Sequence, residues 1–503
     1  MNIEDLFQSP GRQIADFFKA QTLLYRHDPS LQDYFMELQL AKFTGTPVCS
    51  HELPPPRRLF ASAIRGADKV SRFRSREVLK CDVIICPNQH FGRQTETRFF
   101  IRTVLGVAQT GAKILCLLPN DAPCRKELYD RLEADGRAGQ VEFLDPANSS
   151  NQIEARLRKR VARARGREAF AETVRILEPF GLSPRRDVIF NFERRAYAID
   201  AWERLATWID FDAAIVRCHW FAVSSSICRT AMKRAKPVMT FQQGVICDTL
   251  DVPITAAKYV TFGQPSARFM ARANRAFFDA ARKPELPVEY VNGGCLIDTI
   301  IDLPDQFDRQ SLLMVDVPTP QRDFYGVECQ SSALLELAER LLAADLPLRR
   351  IVIRPHPFWS DLDFEACRRL IREHPMRCEL SHPAWSLEDD LRRSSIAIGI
   401  FSGVLTVASA CGLPTYFLQT EQGFSSGDLE CFSPGQTLLS DATFSEIARI
   451  LSDRKAYAAA RALALRNARE YYTKGANLNL DAAFFERHLL GNPPSSKRPE
   501  EVR

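Results

Sequence analysis

Arg354, Pro355 and His356 follow three apolar residues in IVIRPHPFW, so a guanidinium and an imidazole arrive where a short buried strand should leave its sheet. Both groups can donate hydrogen bonds to phosphate oxygens, and Pro355 and Pro357 restrict the backbone that presents them. Two other His-Pro pairs, His374–Pro375 and His382–Pro383, lack a preceding apolar run and read as loops. The second signal is SLEDDLRRSSIAIGIFSGVLTVASACGLPTYFL. Here Ser386 can cap a short helix, IAIGIF reads as a strand, and Ser402 and Gly403 open the next helix. Backbone N–H groups and a hydroxyl at a helix N-terminus make a phosphate site, Gly403 permits close approach, and Thr406 falls one turn onward on the same face.

These residues need elements to hold them. A chain of 503 residues exceeds what one hydrophobic core usually supports, so two domains are expected. Residues 1–75 read as a helical and then extended segment that ends in the proline-rich HELPPPRRLF. Over 76–300, CDVIICP, a helix from Glu96 to Thr110 and AKILCLLP start a β-α-β unit. A helical stretch from Gln152 to Leu177 follows, and then DVIFNFE, DAAIVRCHW, KPVMTFQQG, KYVTFG and PVEYVNGG read as strands that end in turns. A second cycle over 301–490 contains SLLMVDVP, RRIVIRPHP, IAIGIFSG and PTYFL as strands. It closes with helices near Ala442 to Tyr472, and 491–503 reads as a charged, mobile tail. Ligands of such sheets bind beyond the carboxyl ends of the strands.

From RPHP through SLEDDL to FSGVLTVASACGLP, the chain resembles the C-terminal half of GT-B glycosyltransferases that build bacterial surface polysaccharides. The similar patterns belong to capsule sialyl- and polysialyltransferases, capsule Kdo transferases and CDP-glycerol polymerases. The resemblance implies an α/β GT-B fold, two Rossmann-like domains facing across a cleft, with no cofactor and no required metal. It also implies that His356, and Ser402 with Thr406, hold the phosphate of a cytidine nucleotide. More loosely, VMTFQQGV resembles a strand that ends in Gln-His-Gly or Trp-His-Gly in these families. Gln243 stands where relatives often place histidine, and an amide does not accept a proton near neutral pH. Gln242, Gln243 and Gly244 are left to position a sugar through hydrogen bonds. An inverting transfer needs a base near the acceptor hydroxyl, and Glu193, after VIFNF, and Asp248, beyond FQQGV, are the two candidates.

The expected activity is transfer of a sugar from a nucleotide donor, a CMP-activated acidic sugar, to a capsule or lipopolysaccharide glycan. Arg354, His356, Ser402, Gly403 and Thr406 would stabilise the departing phosphate. A CDP-polyol phosphotransferase keeps the same site with different cargo, and a non-catalytic nucleotide- or glycan-binding protein keeps the fold alone. Neither GxGxxG nor GxxxxGK[ST] is present, and the DxD tripeptides at Asp210–Asp212 and Asp361–Asp363 read as solvated acids. A net charge of +5, from 67 basic and 62 acidic residues, is too even to point to nucleic acid.

The 14 cysteines form no CxxC pair and read as reduced core thiols of a cytoplasmic protein. No secretory signal is evident, and the uncharged stretch Ile396 to Thr420 reads as strand, helix and strand, not as a membrane span. The basic run RLRKRVARARGR reads as a solvated helix face, with an inner-membrane surface as the other partner it could meet.

Overall fold

Alternation of short apolar runs with amphipathic stretches builds two parallel sheets, each flanked by helices. The computed structural model describes residues 12–35, 78–87, 94–118, 122, 124–145, 152–182, 184, 188–220, 222–242, 252–295, 300–315, 328–355, 361–382, 385–399, 402–419, 436–473 and 476–491.

The first half comprises α1 (Arg12–His27), β1 (Leu79–Cys86), α2 (Gln94–Gln109), β2 (Ile114–Leu117), α3 (Cys124–Ala134), β3 (Val141–Leu144) and α4 (Gln152–Leu177). It continues with α5 (Ile189–Leu205), β4 (Ile209–Val216), α6 (Ala222–Lys233), β5 (Val238–Phe241), β6 (Lys258–Thr261), α7 (Gln264–Ala281) and β7 (Glu289–Asn292). The second half comprises β8 (Ser311–Val315), α8 (Glu328–Ala343), β9 (Arg350–Arg354), α9 (Asp361–Glu373), β10 (Cys378–Leu380), α10 (Leu387–Arg393) and β11 (Ile396–Gly399). It ends with α11 (Gly403–Ala410), β12 (Thr415–Gln419), β13 (Gln436–Leu439), α12 (Ser440–Ser452), α13 (Arg454–Tyr471) and α14 (Ala482–Phe485).

The strand orders are β3-β2-β1-β4-β5-β6-β7 and β10-β9-β8-β11-β12-β13, with the paired strands parallel. Each order reverses beside its first strand, between β1 and β4 and between β8 and β11, where a doubly wound sheet opens a crevice. Two such sheets in one chain are the GT-B architecture that the sequence led us to expect. Every residue of β2, β5, β8 and β11 is buried, as expected for strands covered on both faces.

One expected strand is a helix. DVIFNFE contributes to α5, whose buried Phe192, Ala196, Ile199 and Trp202 recur at spacings of three and four, while Phe190 is 64% exposed. The helical period therefore overrides a locally apolar run. The neighbouring basic run lies on α4, and its Arg163, Arg165 and Arg167 reach Glu193 and Glu203 of α5. Among the described residues, no helix is long and apolar enough to cross a membrane.

α1 and the segment after α13 also pack on the first domain. Phe18 and Tyr25 of α1 meet Phe277 of α7 edge-on at 6.0 and 5.4 Å. After α13 the backbone returns to the first domain: Thr473 N–H donates to Phe262 O (2.9 Å), Cys295 N–H to Ala476 O (2.9 Å) and Leu478 N–H to Cys295 O (2.8 Å). Arg102 of α2 donates to Leu478 O. Gly106 of α2 makes room for this return, because a Cβ there would lie 2.0 Å from Leu480 O and 2.9 Å from the Phe485 ring. Helix propensity alone says that Gly106→Ala should gain about 1 kcal/mol. The packed carbonyl reverses the sign, so urea denaturation of Gly106→Ala should show a net loss of about 1–3 kcal/mol, whereas a gain would show that the returning segment does not seat on α2.

Candidate functional site

At the exit edge of the second sheet, Val315 of β8 is in register with Arg354 of β9 on one side and Gly399 of β11 on the other. The two signals singled out in the sequence therefore flank a single strand at the reversal of strand order. Ser402 has extended backbone angles and caps α11, its Oγ accepting the Val404 N–H at 3.3 Å. Gly399 lets this turn come close: a Cβ would stand 2.2 Å from Val315 O and 3.1 Å from Leu405 Cδ1. α11 thus begins at the strand ends, where its positive dipole end favours an anion, while its Val404 and Leu405 N–H groups donate to Ser402 Oγ and Ser402 O. Thr406 is fully buried behind that turn, with its hydroxyl donating to Gly403 O at 2.8 Å and standing 2.6 Å from Tyr472 Oη.

Arg354 is anchored from beneath. Its Nη1 donates to the fully buried Asp390 carboxylate and lies 3.5 Å from both Ser381 Oγ and Ser386 O. Ser381 Oγ also reaches Asp390, at 2.8 and 3.0 Å from its two oxygens. SLEDDL thereby has two jobs. Ser386 and Asp389 form a capping box on α10, with Asp389 N–H to Ser386 Oγ at 3.2 Å and Ser386 N–H to Asp389 Oδ2 at 2.8 Å. Hydrogen bonds from the Ser386 hydroxyl and N–H hold the Asp389 carboxyl below its ordinary range. Asp390, on the next residue, is the counter-ion of Arg354.

His382 lies in a loop, as read from the sequence, but it stands just beyond β10, a strand of only three residues that was not foreseen. Trp385 lies 5.7 Å from the His382 ring, with the Arg393 guanidinium 3.7 Å over its face. His356 lies outside the described residues, as do Gln243, Gly244 and Asp248.

In the first domain, the side chain of Gln242 is fully buried, and its Oε1 accepts the Phe262 N–H at 2.8 Å, which ties β5 to β6. Glu193 is not at a strand end. It lies within α5, is buried, and is paired with Arg167 at 2.6 Å and Arg163 at 3.5 Å. His219, just after β4, is buried and meets Tyr259 edge-on at 6.1 Å. Arg217 was missed, although AAIVR repeats the pattern of IVIR. It leaves β4 fully buried and grips Glu96 of α2 with Nε and Nη2, at 2.9 and 3.1 Å. Its Nη1 reaches Phe241 O and Gln242 O at 3.2 Å each. The pocket beside this pair has a volume of only ≈ 10 Å³, about enough for one water.

Asp210 and Asp212 lie at the start of β4, the opposite end from the strand mouths, where Asp212 pairs with Lys236 at 2.7 Å. Among the described residues, no group of three His, Cys, Asp or Glu is placed to hold a metal.

No protein-family model and no curated protein matches the chain. Solved structures similar to it include a Listeria monocytogenes protein described as a UDP-N-acetylglucosamine 2-epimerase, 13% identical with a TM-score of 0.48, covering 83% of this chain and 98% of that one. They also include S. aureus MnaA with UDP (11%, TM-score 0.45, 83% and 99%) and Anabaena Alr3699/HepE with UDP-glucose (9%, TM-score 0.44, 82% and 98%). At this distance they assign neither substrate nor reaction to this chain.

The anchoring of Arg354 can be checked directly. Asp390→Ala leaves a half-buried guanidinium without its counter-ion and should lower stability in chemical denaturation by about 2–4 kcal/mol, discounted because Arg354 is partly solvated. A loss under about 0.5 kcal/mol, the range of an ordinary surface substitution, would contradict the pairing.

Proposed function

We propose that this chain is a glycosyltransferase that moves a sugar from a nucleotide donor, a CMP-activated acidic sugar, to a capsule or lipopolysaccharide glycan. One observation carries the reading: Arg354 and the Ser402-capped start of α11 flank β8 at the switch point of the second sheet. A cation and a helix N-terminus are there matched to one phosphate. When the bond between the anomeric carbon and the phosphate oxygen breaks, negative charge grows on that phosphate, and donors fixed in advance stabilise it without reorganising. His356, two residues beyond Arg354 in sequence, is assigned to the same phosphate. The acceptor hydroxyl attacks the anomeric carbon and gives its proton to a base.

Of the two carboxylates considered for that base, Glu193 is engaged by two arginines within a helical layer, which favours Asp248. Gln243 and Gly244 remain the groups assigned to sugar positioning, while the Gln242 side chain joins two strands.

Cytidine nucleotides should raise the melting temperature more than uridine or guanosine nucleotides at equal concentration, since a ligand that binds only the folded chain stabilises it. Shifts with uridine or guanosine nucleotides and none with cytidine ones would reject the donor. His356→Ala should slow transfer by roughly a hundredfold or more while leaving the melting temperature of the free protein unchanged. Full activity in that variant would remove the histidine from the mechanism. Asp248→Asn keeps the shape and removes the base, so it should still bind nucleotide yet lose transfer. Transfer at the parent rate would exclude Asp248.

A further inference from the structure

The buried hydroxyl behind the candidate phosphate turn leads across the domain boundary. Thr406 Oγ1 has one proton, and it is donated to Gly403 O at 2.8 Å, so the 2.6 Å contact with Tyr472 must be donated by the tyrosine. A chain of two hydrogen bonds therefore runs from Tyr472 to the first residue of α11. Tyr472 closes α13, and its ring leans on Phe262 of the first domain, with centroids 5.4 Å apart. The next residue, Thr473, donates its N–H to Phe262 O at 2.9 Å. Gly263 admits this crossing, because a Cβ there would lie 2.3 Å from Tyr471 O. Ser409 of α11 adds a second tie to α13, donating to Ala464 O at 3.1 Å. One side chain thus separates the first turn of α11 from the backbone joint between the domains.

We propose that Tyr472 is a positioning residue that couples the first turn of α11 to the joint at Phe262–Gly263, so that occupation of the turn and the arrangement of the domains bias one another. The functional half of this inference rests on the phosphate-site reading of α11, whereas the mechanical half does not. Coupling through a shared element is reciprocal, so a disturbance made on either side must appear on the other.

Native-state hydrogen exchange on the full chain tests both halves. Thr406→Val removes the acceptor inside α11 and should speed exchange at Thr473, across the boundary, by about tenfold. Tyr472→Phe keeps the ring and should do the same at Leu405, whose N–H bonds Ser402 O at 3.0 Å within α11. Thr406→Ser keeps the hydroxyl and should restore the parent rates. If each substitution affects only its own element, or if serine fails to rescue, the coupling is overturned.

CMP is then added to the parent and to Tyr472→Phe. Protection at both Leu405 and Thr473 in the parent, with Thr473 unprotected in the variant, supports the full inference. Protection confined to Leu405 in the parent overturns the link between ligand and joint. No protection by CMP anywhere, with the reciprocal effects of the substitutions intact, sustains the mechanical coupling and rejects the nucleotide reading of the site.

Discussion

Gly399 has no room for a side chain, and the geometry of the candidate site follows from that constraint. Its missing Cβ would stand 2.2 Å from the Val315 carbonyl, where β8 and β11 run in register. Even a methyl group would force the strands or the helix apart, and with them the point at which α11 starts. The sheet therefore determines where α11 begins, and Ser402 caps it by accepting the Val404 N–H. Arg354 inherits the same frame, because its strand is in register with the other edge of β8. A phosphate bound in the proposed place would meet groups held by strands that are largely buried, so little would have to form when it arrives.

Each domain places an arginine at a strand end and ties it to a helical carboxylate, yet the two are not equivalent. Arg217 is 2% exposed, and its guanidinium nitrogens are spent on Glu96, Phe241 O and Gln242 O, with its planar face over Phe99 at 4.8 Å. A guanidinium so satisfied offsets its burial with bonds inside the protein and fastens α2, β4 and β5 together. Arg354 is 25% exposed and is gripped through Nη1 by Asp390. Its position is fixed from below, and it still meets solvent at the strand edge. This difference in solvation is the physical argument for placing the anionic donor on the second domain.

Much of this fold was legible because a parallel strand buried on both faces is a short, largely apolar run, as in VIIC, SLLMV and IAIG. The same rule misled at DVIFNFE. Val188, Ile189 and Phe190, with Phe192 just beyond, gave a strand-like run, and only the longer sequence to Trp202 reveals the helical period that buries Phe192, Ala196 and Ile199. With the strand went Glu193 as a strand-end acid. VEFL and CEL went unseen because edge strands of four and three residues, partly exposed, carry almost no pattern. Missing CEL also hid Trp385 and left His382 without the strand that precedes it. Ser402, Gly403 and Arg354 were readable because strand, cap and helix succeed one another locally. The partners Asp390 and Tyr472 were not, since a pairing across 36 or 66 positions has no local signature.

In the proposed function a nucleotide phosphate binds on the second domain between Arg354 and the start of α11. A crystal structure of the full chain with CMP bound tests it most directly. The phosphate should lie at the exit edge of β8, with its oxygens about 3 Å from Ser402 Oγ or the Gly403 N–H and within reach of the Arg354 guanidinium. A phosphate bound on the first domain, or CMP held with its phosphate away from α11, would contradict it.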